Sequence, residues 1–166
     1  MKNEVTYRGL TFEPYITRKQ IDARIAELGA QITRENAGKM PLFLCVLNGA
    51  FPFASDLFRQ FDSDAEIAFI RLQSYEGTQS TGQVKEVLGL NTDIEGRTVI
   101  IVEDIVDTGN TIHRLVSDLR KKNPADIKIA TLLFKPEALQ LPVKPDYVGF
   151  SPHWSLRSLP CRRFRS

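Results

Sequence analysis

Three acids within five positions, Glu103, Asp104 and Asp107, follow an apolar run in TVIIVEDIVDTGNT (98–111), and Thr108, Gly109, Asn110 and Thr111 come directly after them. Adjacent carboxylates suit hydroxyl donors or a divalent cation. A Gly- and Thr-bearing turn that opens a helix suits the opposite charge, because its free backbone N–H groups and the helix dipole favour phosphate. A ligand that satisfies both carries hydroxyls and phosphate together. A phosphorylated ribose does so, with Mg²⁺ mediating charge between its oxygens and the acids. In open α/β sheets ligands lie outside the carboxyl ends of the strands. Glu103 and Asp104 are expected at that end of the strand, with 107–111 as the last residues before a helix.

The elements that must hold this string are readable from periodicity. TRKQIDARIAELGAQI opens with a capping-box pattern, Thr17 to Gln20, and sets Ile21, Ile25, Leu28 and Ile32 on one helical face. PLFLCVL (41–47) reads as a buried strand, 52–61 as a helix, 66–75 as a strand, and GTQSTGQ as a small, polar, mobile loop before an edge strand. After the acidic strand, Ile112, Leu115, Val116 and Leu119 share one face of a helix that stops before Pro124. Strands at 127–135 and 145–150 complete the series. This alternation predicts an α/β fold, a parallel twisted sheet flanked by helices on both faces.

Composition excludes several classes. The chain has 166 residues and a net charge of +2, enough for one cored domain. It contains no apolar run of membrane-spanning length, and MKNEVTYRGLTFEPY lacks the basic-then-apolar pattern of a signal peptide, so a cytoplasmic protein is expected. Cys45 and Cys161 lack metal-ligand spacing and read as structural thiols. Of the 22 basic residues four (Arg157, Arg162, Arg163 and Arg165) lie in 151–166, which has no acid; this leaves 18 against 20 acids in residues 1–150. A mildly acidic body offers no basic face to nucleic acid.

The full string, apolar strand, two acids, two apolar residues, Asp-Thr-Gly-x-Thr and an amphipathic helix, resembles the ribose-phosphate signature of the type I phosphoribosyltransferases, which bind 5-phosphoribosyl 1-diphosphate (PRPP). FIRLQSYEGTQSTGQVK (69–85), VLNGAFPFASDL (46–57) and ATLLFKP (130–136) are similar to the mobile loop, diphosphate turn and purine strand of the hypoxanthine (hypoxanthine-guanine) branch. The resemblance implies the following roles. Glu103 and Asp104 hold the ribose hydroxyls directly or through Mg²⁺, and Asp107, Thr108, Gly109, Asn110 and Thr111 cradle the 5'-phosphate. Asp107 is also the acid–base group facing purine N7, and Lys135 reads the 6-oxygen. Leu47, Asn48 and Gly49 face diphosphate, where the family often has a cis non-proline peptide. Arg71 belongs to the nucleotide site, and Ser74 and Tyr75 start a loop that closes over it. His113, on the first turn of a helix, reads as a surface residue. The implied partners are PRPP, hypoxanthine or guanine, and diphosphate, in a homo-oligomer (dimer or tetramer), without nucleic acid or membrane.

The resemblance covers residues 1–150 and stops there. Where the family continues with an Ile-Pro segment, a base-stacking aromatic residue and an acid for a second Mg²⁺, this chain reads SPHWSLRSLPCRRFRS, which resembles a shifted reading frame or altered end. The expectation is a phosphoribosyltransferase domain with a small, incomplete hood, and a basic tail at 151–166 without stable order. PRPP binding is expected to persist and transfer to purine to be weak. Two rival readings stand beside it: a non-catalytic PRPP- or nucleotide-sensing regulator on the same fold, and a signalling receiver domain, which needs an isolated phospho-acceptor Asp on a strand between the acidic pair and Lys135, whereas here Asp107, Asp118 and Asp126 fall in turn or helix.

Overall fold

The structure is a computed structural model that describes residues 5–8, 10–12, 15–73, 85–88 and 90–151. A short antiparallel hairpin, β1 (Val5–Tyr7) and β2 (Leu10–Phe12), precedes α1 (Arg18–Asn36). The chain continues through β3 (Leu42–Leu47), α2 (Phe51–Gln60), β4 (Glu66–Gln73), β5 (Lys85–Leu88), β6 (Thr98–Val106), α3 (Asn110–Arg120), β7 (Asp126–Phe134) and β8 (Tyr147–Phe150). The main sheet has the order β5-β4-β3-β6-β7-β8; five strands run parallel and β5 joins antiparallel at the edge. Among the described residues no helix is long and apolar enough to cross a membrane.

Local chemistry explains the helix starts. The Gln20 N–H donates to the Thr17 hydroxyl at 3.3 Å while the Gln20 side chain accepts from the Thr17 N–H at 2.8 Å, so the capping box is formed as its sequence predicts. β3 is buried along almost its whole length, as a central parallel strand covered on both faces must be. Alternation then splits the core in two. Phe43, Cys45, Ile100 and Val102 pack beneath α1 and α2, whereas Leu44, Val46, Val99 and Ile101 pack beneath α3. The helix pair on the first face sits close. A Cβ on Gly29 of α1 would lie 2.3 Å from Cβ of Gln60 at the end of α2.

A polar cluster ties α1 to the edge of the sheet. The buried Tyr147 phenol donates to Glu35 at 2.6 Å and accepts from the Asn36 amide at 3.1 Å. The phenol's hydrogen bond, with a smaller contribution from Gln31, holds the Glu35 carboxyl below its ordinary range. A depressed carboxyl stabilises the fold above its unfolded-state pKa, and that contribution disappears as pH falls through the folded value.

Two outcomes follow. Replacing Gly29 by Ala overpacks the α1–α2 contact and lowers stability by about 1–3 kcal/mol in chemical denaturation. Tyr147→Phe destabilises the chain at neutral pH, and its deficit against the parent narrows on acidification through the carboxylate range; a deficit independent of pH would contradict the assigned hydrogen bond.

Candidate active site

The site lies where the sheet's winding reverses. β3 leads through α2 to β4 on one side, and β6 leads through α3 to β7 on the other, so β3 and β6 flank the switch point where such sheets bind ligands. Their mutual pairing ends at Cys45 and Val102. Beyond that register β3 stays paired to β4 as far as Leu47 and Arg71, and β6 stays paired to β7 as far as Val106 and Phe134. The two strands therefore part, and a crevice opens with Leu47, Asn48 and Gly49 on one wall and Glu103 and Asp104 on the other.

This corrects the position of the acids. Glu103 and Asp104 lie inside the strand, which runs to Val106 because β7 continues to pair with it after β3 has left. The Glu103 side chain folds back toward its neighbour, its carboxyl oxygen accepting from the Asp104 N–H at 3.2 Å. Glu103 is buried; burial first, then the hydrogen bond and negative charge of Asp104, push its carboxyl up to about 9. The same burial, with the charges of both acids adding, raises the Cys45 thiol to about 11 and leaves it an inert core residue. Asp104 accepts from the Ile105 N–H at 2.9 Å. Its carboxylate also abuts the opposite wall: a Cβ on Gly49 would lie 2.5 Å from Asp104 Oδ2. The peptide bond between Leu47 and Asn48 is cis. Arg71 is exposed on β4 beside Leu47. Ser74 and Tyr75 lie outside the described residues.

The second correction concerns the cradle. α3 begins at Asn110, so Asn110 and Thr111 form its first turn and Gly109 is the N-cap, at φ 81°. Neither N-cap residue, Gly109 here or Ala50 of α2, whose N-terminus follows the other wall of the crevice, caps its helix with a side chain, and only the Thr108 hydroxyl accepts, at 3.5 Å, from the Asn110 N–H. Both helix starts turn a positive dipole end toward the crevice, and α3 adds the N–H groups of Thr111 and Ile112, whereas in α2 the Phe51 N–H already donates to the Asn48 carbonyl at 3.3 Å and Pro52 has none. The strap after β7 braces the α3 turn from behind. The Gln140 N–H donates to the Thr108 carbonyl at 2.9 Å, and the Asn110 amide donates to the Gln140 side chain and to the Thr108 hydroxyl, both at 3.1 Å. Leu139 and Val143 close the space beside Gly109. Sequence reasoning missed Gln140 and the Gly49–Asp104 approach. A glycine two residues after a buried strand was the only available signal for the latter.

Asp107 and Lys135 come together although 28 positions separate them in the chain numbering. Lys135 Nζ lies 3.6 Å from Asp107 Oδ2, and the Lys135 N–H donates to the Val106 carbonyl at 2.9 Å. Lys135 stands just beyond the end of β7, at the start of a short 3₁₀ turn, Pro136–Ala138. A cation and a carboxylate side by side can meet an acceptor and an adjacent proton-bearing nitrogen on one edge of a heterocycle. His113 is exposed on α3. Among the described residues no group of three or more His, Cys, Asp or Glu is placed to hold a metal. Glu103 and Asp104 supply two hard oxygen donors in a charge-crowded place, a set that fits Mg²⁺ if water and ligand oxygens complete its shell.

A family model described as phosphoribosyl transferase domain matches residues 16–161. The hypoxanthine-guanine phosphoribosyltransferase of Lactococcus lactis is 42% identical over 137 residues, 82% of this chain and 74% of that protein. The bifunctional protein TilS/HprT of Listeria innocua is 40% identical over 136 residues; the match takes in 81% of this chain but 21% of the relative, so the chain spans about a fifth of its length. The crystal structure of a hypoxanthine-guanine phosphoribosyltransferase from Bacillus anthracis, with HEPES in its active site, superposes with a TM-score of 0.79 at 38% identity, covering 84% of this chain and 83% of that one.

Gly109→Ala tests the cradle, because it forces a side chain into the left-handed region and against Val143 and Leu139. The expected loss is about 1–2 kcal/mol from the backbone alone, read by denaturant unfolding; an unchanged midpoint would mean that the turn adopts another conformation.

Proposed function

This chain belongs to the phosphoribosyltransferase family, and from that premise we propose that it transfers the 5-phosphoribosyl group of PRPP to N9 of hypoxanthine or guanine, releasing diphosphate and the nucleoside monophosphate, in purine salvage. The observation that carries the reading is the placing of two helix starts, on opposite faces of the sheet, to either side of one acidic pair. PRPP has the matching pattern: phosphate on C5, diphosphate on C1, and ribose hydroxyls between.

In this reading residues 107–111 hold the 5'-phosphate, Leu47, Asn48 and Gly49 face the diphosphate with Arg71 beside them, and Glu103 and Asp104 take the ribose hydroxyls. Bound Mg²⁺ would supply charge neutralisation between the acids and the diphosphate. Lys135 donates to the 6-oxygen of the base and Asp107 accepts or steers the N7 proton as N9 attacks C1. Those two purine atoms are neighbours on one edge of the base, as Lys135 and Asp107 are in the fold. The positive end of the α2 dipole lies where charge develops on the departing diphosphate and would stabilise it there. Ser74 and Tyr75 belong to the segment that would exclude water from the reacting centre.

Residues 1–150 form the phosphoribosyltransferase domain in this reading, acting in the cytoplasm as a dimer or tetramer. The stacking residue and second metal ligand of the family have no counterpart in 151–166, although the family match runs to residue 161. Transfer slower than that of the Lactococcus enzyme, with PRPP binding intact, is therefore part of the reading.

Calorimetric titration with PRPP and Mg²⁺, followed by hypoxanthine in the same cell, tests it. PRPP heat with slow turnover is the expected result, and no PRPP heat would overturn the assignment. Asp107→Asn should lower kcat by about 10²–10⁴-fold. Lys135→Ala should raise the purine KM by about 10- to 100-fold and leave the PRPP KM nearly unchanged; equal losses for both substrates would remove Lys135 from the base site.

A further inference from the structure

Arg24, on α1, reaches across to the far edge of the sheet. Its Nε donates to the Gly149 carbonyl at 2.9 Å and one terminal nitrogen donates to the Val148 carbonyl at 2.8 Å, while the other meets Glu27 at 2.6 Å. A guanidinium fork placed on two consecutive carbonyls fixes their direction as well as their position, and charge-assisted bonds of this kind are stronger than neutral ones. Glu27 on the same helix orients the fork. The segment is held from its other side too: a Cβ on Gly149 would lie 2.5 Å from the Leu132 carbonyl oxygen, and the Ser151 hydroxyl donates to the Phe134 carbonyl at 3.2 Å.

The parallel register gives this clamp a consequence. Leu133 pairs with Phe150, so Ser151 comes level with Phe134, one residue before Lys135. Ser151 itself is therefore held beside the strand end that leads into the cation assigned to the purine 6-oxygen. We propose that Arg24 is a positioning residue for the base side of the site, fixing the end of β8, through Ser151, against the end of β7 that leads into Lys135. This rests on the transferase reading above. Arg24 touches no reacting atom, and the phosphate cradle, braced by Gln140 and Val143, lies on other elements.

The test compares Arg24→Ala and Arg24→Lys with the parent in the full chain. Amide exchange at residues 148–151 should quicken by about tenfold or more in the alanine variant, and affinity for inosine monophosphate should fall by about tenfold. PRPP affinity with Mg²⁺ should stay within about twofold, since none of its assigned contacts depends on β8. Lysine, which can serve one carbonyl and not two, should fall between. Unchanged exchange at 148–151 would overturn the clamp, and equal weakening of both ligands would reduce Arg24 to a general structural role. A parent that binds PRPP but not inosine monophosphate would defeat the purine assignment, and the exchange comparison would still decide the clamp.

Discussion

The structure depends on a parting of strands. A parallel strand at the centre of a sheet ordinarily has both edges paired, and β6 gives up one of them at Val102 while its other edge continues to Val106. The four residues that run on with one free edge include both acids. Of the described residues, those assigned to the site gather around this opening: the Leu47–Gly49 wall, the starts of α2 and α3, and, through the Val106 carbonyl, Lys135. The burial of Glu103 follows from the same geometry, since a side chain on a central strand has a helix above it even where the strand has lost a neighbour.

Most of the fold was legible because its elements obey one period each. α1 announced its start through Thr17 and Gln20 and its buried face through Ile25, Leu28 and Ile32, all of which are local signals. The apolar runs at 42–47 and 98–102 could only be buried strands. Their ends were less legible. The strand of the acids was expected to end with them, at Asp104, whereas hydrogen bonding to β7 carries it to Val106. Strand length here is set by the neighbour, and a neighbour's register is not a local property of the sequence. The hairpin β1–β2 was likewise unread, its strands being three residues each.

The candidate site divides along the same line. Residues contiguous in the chain, Glu103 to Thr111, were legible as a unit because one strand–turn–helix builds them. The bond between Asp107 and Lys135 joins elements that no spacing rule connects, and the two residues were assigned to the purine edge by family resemblance. Gln140 and Arg24 were invisible for a further reason. Each acts on backbone carbonyls or an amide of another element, and neither carries a residue type or spacing that marks such a contact.

Charge decides how the pieces can work together. The two helix starts contribute roughly half a positive charge each, while a phosphate and a diphosphate bring several negative charges toward two carboxylates. The body's own balance, 18 basic against 20 acidic residues, adds no long-range attraction. Local N–H groups can orient such a ligand but cannot neutralise it. In the proposed reading a crevice that combines acids with anion cradles suits a ligand arriving with its own counter-cation, while burial and the neighbouring Asp104 account for the raised Glu103 carboxyl. In that reading the acids, which would repel a bare phosphate, favour one presented together with hydroxyls and a divalent metal.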